Sequence, residues 1–418
     1  MSQYFKPISI SLSPNVEKDD VMLALNLIIR PWLWKGGKGI KELENQFKKY
    51  LGVKYAFSFN SGRSAFFAIL KSLELRQDDE ILIQSFTCNA VPNPIMWAGL
   101  KPVYIDCRKD DFNIDADKLS EKINTRTRAV VVQHTFGMPA DMDKIRAVCG
   151  SNNLILIEDC AHSLGAEYNG VRVGSHSKVS FFSFSRDKII SSVYGGMATT
   201  NDAEVAKKLE NFREQFGQPS NCWILQQILH PILLNYLILP LYNLLDLGKI
   251  FLVLSQWIHI LSKAVSWKEK RGEKPDYFPK AMPNAMAVMA LHQLNKLNKF
   301  NEHRLKIADY YYENLKDTRF ELPGKFPSRK SVFLRFTVEH PKAHDIIYEA
   351  WHKQNILLGD WYTTPIAPFD TNLDEMHYKK DMRPIAESLA KKTLNLPTHI
   401  NISLKDAERI VNFLKKFS

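Results

Sequence analysis

The chain is 418 residues long, more than one hydrophobic core readily serves, so a large domain and a smaller one are expected. Hydrophobic residues at 45% and charged residues at 24% match the globular average and exclude a disordered or fibrous chain. Five scattered cysteines without CxxC spacing exclude a disulfide framework and a zinc cluster. The net charge of +11 suits an acidic partner, but without a nucleic-acid-binding signature that partner is phosphate or lipid rather than nucleic acid.

The first twenty residues lack the succession of a secretory signal, so a cytoplasmic location is expected. After an extended arm, residues 39–51 show apolar positions at helical spacing and predict a surface helix. Short apolar runs then alternate with loop and helix signals: AFSF, EILIQSF, KPVYIDC, AVVVQHTFG, LILIEDC and KVSFFSF. Runs such as AVVVQ are too continuous for strands with one face in water. They predict an α/β domain over residues 1–215 with a mostly parallel sheet, whose ligands gather beyond the carboxyl ends of the strands.

Residues 216–275 are different. Two apolar arms meet at residues 246–249, the first interrupted by Pro231 and Pro240. Each is marginal for a hydrocarbon core about 30 Å thick, which takes roughly 20 apolar residues. The expectation is an apolar helical insertion, a hairpin dipping into one leaflet. Trp223, Trp257 and Trp267 and the basic set Lys263, Lys268, Lys270, Arg271 and Lys274 would be its interfacial anchors over residues 223–274. A buried dimer interface or a lid over the active site would use the same residues. Membrane contact would also fit an acceptor carried on a lipid. Beyond it, residues 276–418 predict a smaller α/β domain. It opens with one long helix, or two nearly continuous ones, over residues 284–315, and closes with a helix over 404–417 entered through a capping stretch.

Three features at successive strand ends carry chemistry. Asn60-Ser61-Gly62-Arg63-Ser64 lies between a strand and an apolar helix, where backbone N–H groups can bind phosphate. The run LILIED delivers Glu158 and Asp159 to a strand end, where a carboxylate can hold a proton on a pyridine nitrogen. Ser183 and Lys188 follow in a loop closing on Gly195 and Gly196, and a lysine in a partly buried pocket can serve as nucleophile and base. Singly, each has an ordinary reading: a helix cap, a solvated carboxylate, a surface lysine. Together they are what pyridoxal 5′-phosphate (PLP) requires. His134 is read as structural, and the absence of GxSxG and HExxH leaves no triad or metal centre to assign.

The motifs SFNSGRSAFFAIL, HTFGMPADMDKI, EDCAHSLGA, FSFSRDKIISSVYGGM and AESLAKKTLNLPTHINIS resemble those of the DegT/DnrJ/EryC1/StrS sugar aminotransferases over nearly the whole chain. The resemblance implies a type I PLP-dependent aminotransferase fold and a homodimer. It makes Lys188 the Schiff-base lysine and Asp159 the partner of the ring nitrogen. It also makes Gly62, Arg63, Ser64 and Ser183 ligands of the cofactor phosphate, and sets His162 near the ring's phenolic oxygen. The activity implied is transfer of an amino group from an amino acid, usually L-glutamate, to a keto sugar, nucleotide-linked, in glycan or secondary-metabolite synthesis.

There are departures from the family pattern. Cys88 stands where relatives stack an aromatic residue on the ring, Arg63 stands where threonine is usual, and the family's Asn-x-Arg falls on Pro279 and Ala281. Arg63 could replace a lost phosphate contact or point to solvent. A sugar dehydratase or deoxygenase is an alternative, although relatives of that kind have histidine at the lysine position. A membrane-associated regulatory homologue without catalysis is another. The sugar, the carbon aminated and the donor are not legible.

Overall fold

The computed structural model describes residues 6–418. Its centre is a seven-stranded sheet made of β1 (Tyr55–Phe59), β2 (Glu80–Gln84), β3 (Lys101–Ile105), β4 (Thr127–Gln133), β5 (Ile155–Asp159), β6 (Val179–Ser183) and β7 (Gly196–Thr200), in the order β1-β7-β6-β5-β4-β2-β3. Neighbours from β6 through β3 run parallel, and β7 is antiparallel to both β6 and β1. The apolar runs form these strands because helices cover both faces, which gives each side of the sheet its own core. Residues 39–51 form a helix as expected, with Leu43, Phe47 and Leu51 inward.

The helices nearest the site are α1 (Lys18–Ile28), α2 (Gly39–Leu51), α3 (Gly62–Ser72), α4 (Pro92–Trp97), α5 (Met142–Ser151) and α6 (Ala203–Phe216). The apolar region continues as α7 (Asn221–Leu233), a π-helical turn over Leu234–Ile238, and α8 (Leu247–Trp257). Pro231 does not break the first arm as expected. It is accommodated inside α7, and the ladder loosens into the π turn just after it. The real break comes at residues 239–246. Among the described residues, no helix is long and apolar enough to cross a membrane.

The expected long helix is two, α9 (Asn284–Leu294) and α10 (Leu297–Leu315), and leads into α11 (Ala343–Gln354), α12 (Pro384–Lys392) and α13 (Leu404–Leu414) around the antiparallel pair β8 (Phe336–Glu339) and β9 (Thr393–Leu396). A capping box of Ser403 and Asp406 starts α13. The chain's beginning joins this C-terminal part: Ile8 and Ser9 pair in parallel with Ile356 and Leu357.

Candidate active site

Strand alternation separates the two carboxylates that end β5. Glu158 turns away from the carboxyl-end cavity and is saturated there, accepting from the backbone N–H of Gly174 (2.7 Å) and His176 (2.9 Å) and from Ser177 Oγ (2.8 Å). His134 Nε2 lies 3.2 Å from it, in the structural role expected of that histidine. Asp159 turns the other way and lines a cavity of about 380 Å³ at the ends of β1, β4, β5 and β6. Its Oδ1 accepts from Ala161 N–H at 2.9 Å, and burial pushes its pKa up to about 6 against the pull of that bond and of Lys188.

Lys188 lines the same cavity. Burial lowers its pKa, while Asp187 and then Cys88 resist the shift. Its loop is held from distant parts of the chain. The Asn15 amide binds the carbonyl oxygens of Lys188 and Ile189, Arg304 of α10 donates to Asn15 Oδ1 (2.6 Å) and to Ile189 O (3.2 Å), and Gln293 of α9 accepts from Ser191 N–H at 2.7 Å. None of these three positioning residues was singled out in the sequence. Each acts across more than a hundred residues, where no local pattern points.

The phosphate-cradle segment does fold as a helix start. Ser61 caps α3 by accepting from Ser64 N–H at 3.0 Å, and Ser61, Gly62 and Ser183 line the cavity. The glycines permit the approach: a Cβ on Gly196 would lie 2.4 Å from the Ser61 carbonyl carbon, and one on Gly62 would lie 3.0 Å from Ser183 Cβ. Ser64 differs from expectation, because its Oγ is buried and spent on Asn60 Oδ1 at 2.6 Å, so Ser61 takes its place at the cavity wall.

Arg63 does not point to solvent, and it lines the same cavity. Its guanidinium is buried, paired with buried Glu269, and lies over the Phe278 ring at 4.3 Å. Pro279 and Ala281 also lie beside the cradle, as backbone: Asn60 N–H donates to Lys280 O at 3.0 Å, and Asn60 Nδ2 donates to Tyr277 O at 2.8 Å.

Cys88 lines the cavity with its thiol pKa raised by burial, so it stays uncharged. The aromatic layer opposite was not legible in the sequence. His162, kept neutral by burial, stacks on Trp361 at 5.2 Å, and Trp361 lies against Tyr362 at 5.9 Å. Lys188 Nζ is 4.4 Å from the Trp361 ring centre, and Arg335 covers that ring and reaches Asp187 at 3.3 Å. Lys270, expected to face a membrane, lines the cavity and pairs with Asp370 at 2.5 Å.

An amine and a carboxylate thus share one cavity with a helix N-terminus, a hydroxyl beside it and flat aromatic walls. That donor set fits PLP. The sequence pattern of the DegT/DnrJ/EryC1/StrS aminotransferase family matches residues 15–223 and 263–415.

The chain belongs to this family.

The family members it resembles include the GDP-perosamine synthase of Caulobacter vibrioides, 27% identical over 401 residues that make up 96% of this chain and 95% of the relative. Another is the dTDP-3-amino-3,6-dideoxy-alpha-D-galactopyranose transaminase of Aneurinibacillus thermoaerophilus, 28% identical over 400 residues, 95% of each chain. Among solved structures, Helicobacter pylori PseC, an aminotransferase involved in the biosynthesis of pseudoaminic acid, superposes with a TM-score of 0.76 over 98% of this chain and 99% of its own, at 23% identity. The aminotransferase family, its type I fold and PLP as cofactor are therefore those of this chain. Residues 224–262 lie outside the family pattern, and the strap that carries Glu269 and Lys270 lies within the stretch it matches.

Proposed function

We propose that this aminotransferase moves an amino group from an amino acid, L-glutamate by family likeness, to a keto sugar carried on a nucleotide, for glycan or secondary-metabolite synthesis. The observation that carries the reading is the shared cavity of Lys188 and Asp159. The relatives named for GDP- and dTDP-linked sugars support the acceptor class.

When bound, PLP supplies an aldehyde for amine exchange and a protonated ring that draws electron density from the substrate. Lys188 holds the aldehyde between turnovers, and its free amine, with pKa lowered by burial, moves the proton on the substrate α-carbon. Asp159 keeps the ring nitrogen protonated. The N-terminus of α3, with Ser61, Gly62 and Ser183, binds the phosphate. His162 and Trp361 offer flat surfaces to the ring, and Arg335 keeps Trp361 in place. A lysine at position 188, rather than histidine, favours amino transfer over dehydration. The finer partners of this reading are a second copy of the chain, as a homodimer, and a membrane surface reached through residues 223–274 from the cytoplasmic side.

Reconstitution with PLP tests the reading. The bound cofactor's visible band is expected to vanish on adding L-glutamate and to return with a keto sugar nucleotide. In Lys188→Ala, glutamate should leave the spectrum unchanged. A band that L-glutamate and other amino acids fail to bleach in the unaltered protein would overturn the assignment.

A further inference from the structure

Helix α8 turns an apolar stripe toward water. Leu247, Ile250, Phe251, Leu254, Trp257 and Ile258 recur at helical spacing, and all six are exposed, Trp257 to 76%. The opposite side is packed: a Cβ on Gly248 would lie 2.2 Å from the Ile238 carbonyl oxygen, and Leu252 leans on a small core formed by Leu234, Ile238, Tyr242 and Leu261. Apolar on both sides, α8 is not an ordinary surface helix, which has one polar face. An outward stripe of this kind marks an interaction surface.

Charge selects the occupant. From Leu247 to Val265 there is no carboxylate. Lys249 pairs with Asp246 on the packed side of the helix, Lys263 is exposed on the segment that follows, and Arg271 stacks 3.7 Å from the ring of exposed Trp267. An anionic lipid surface meets the same residues with opposite charge and accepts the tryptophans at its interface. With 11 residues, α8 is about 16 Å long, far short of a hydrocarbon core of about 30 Å. It is therefore suited to lying in the interface plane.

We propose that the exposed stripe of α8 docks on an anionic membrane face and that the strap following it ties this anchor to the roof of the active site. The ties run to the catalytic loop and to the start of α3. Arg186, two residues before Lys188, donates to Ser262 O and Oγ, each at 2.8 Å. The Tyr194 hydroxyl donates to Lys263 O at 2.5 Å, and Arg63 donates to Ala264 O at 3.3 Å besides pairing with Glu269. Ala264 and Val265 then line the cavity. Docking narrows the membrane contact proposed above to one helix face and sets the cavity roof at the bilayer, whichever amino acid and sugar react.

Flotation of the full-length, PLP-loaded protein with vesicles is the test. The protein should rise with phosphatidylglycerol–phosphatidylcholine vesicles at least about tenfold more than with phosphatidylcholine alone, and raised salt should weaken the binding. Leu254→Glu and Trp257→Glu should each abolish flotation while keeping the wild-type melting temperature and the glutamate half-reaction. Absence of wild-type flotation, or flotation unaffected by either substitution, would overturn the proposal. So would a change from dimer to monomer in the variants without any wild-type vesicle binding, which would make this face an interface between copies. Bleaching by glutamate reports on the chemistry separately, so failure of one reading leaves the other intact.

Discussion

The loop that carries Lys188 and the helix that carries Trp257 are opposites in how they are held. The first is polar, sits at the cavity floor and is tied by side chains from the N-terminal arm, α9 and α10. The second is apolar, held on one side by a small local core and bare on the other. In the loop, the backbone is held by side chains from distant elements; in α8, apolar residues are exposed and no described residue covers them. Burial in this protein therefore follows function as much as polarity, and substitutions should separate the two regions clearly.

The largest effect is expected at Lys188. Replacing it by alanine should cost at least about 10³-fold in the glutamate half-reaction, measured by stopped-flow absorbance, with the fold retained. Next is the Arg63–Glu269 pair between the strap and α3. Glu269→Ala leaves a buried guanidinium unpaired and should cost about 3–5 kcal/mol in chemical denaturation, whereas Arg63→Met with Glu269→Gln should recover much of the loss. A smaller change is expected at Asp159. Burial raises its pKa from 3.8 to about 6, so the cofactor-free fold binds this proton more tightly than the unfolded chain does. The stabilisation is complete below pH 3.8 and is lost as pH rises through about 6, amounting to about 3 kcal/mol. Asp159→Asn should abolish that pH dependence, so that cofactor-free protein melts higher than wild type at about pH 8, while its half-reaction is severely slowed. The smallest effect belongs to α8: Leu254→Ser should change stability by about 0.5 kcal/mol, since its side chain is already nearly half exposed. A loss of several kcal/mol there would erase the contrast between the regions.

The sheet was legible because strands covered on both faces are written as unbroken apolar runs, and the meeting of Lys188 and Asp159 in one cavity was legible because ligands gather beyond the ends of such strands. Arg63 was not, since its partner Glu269 lies 206 residues away and nothing in NSGRS announces it. Trp361 and Tyr362 were missed for a related reason. They come from the C-terminal part, where Ile366 and Ala367 pair with Thr87 and Cys88 and so bring that segment against the large sheet. The strap was misjudged in part because Lys270 in a roof and Lys268 on a surface read alike. Composition records which residues are basic, but only packing decides which of them turn inward.

Asn15 grips the backbone of Lys188 across 173 positions of sequence, and Ile8 and Ser9 fasten the same arm to a strand near residue 356. The lysine loop therefore waits for the last third of the chain before its final shape exists, so a nascent polypeptide still on the ribosome would be catalytically silent. Trimming the amino terminus past residue 15 should silence the finished protein in the same way, with every residue of the cavity wall intact.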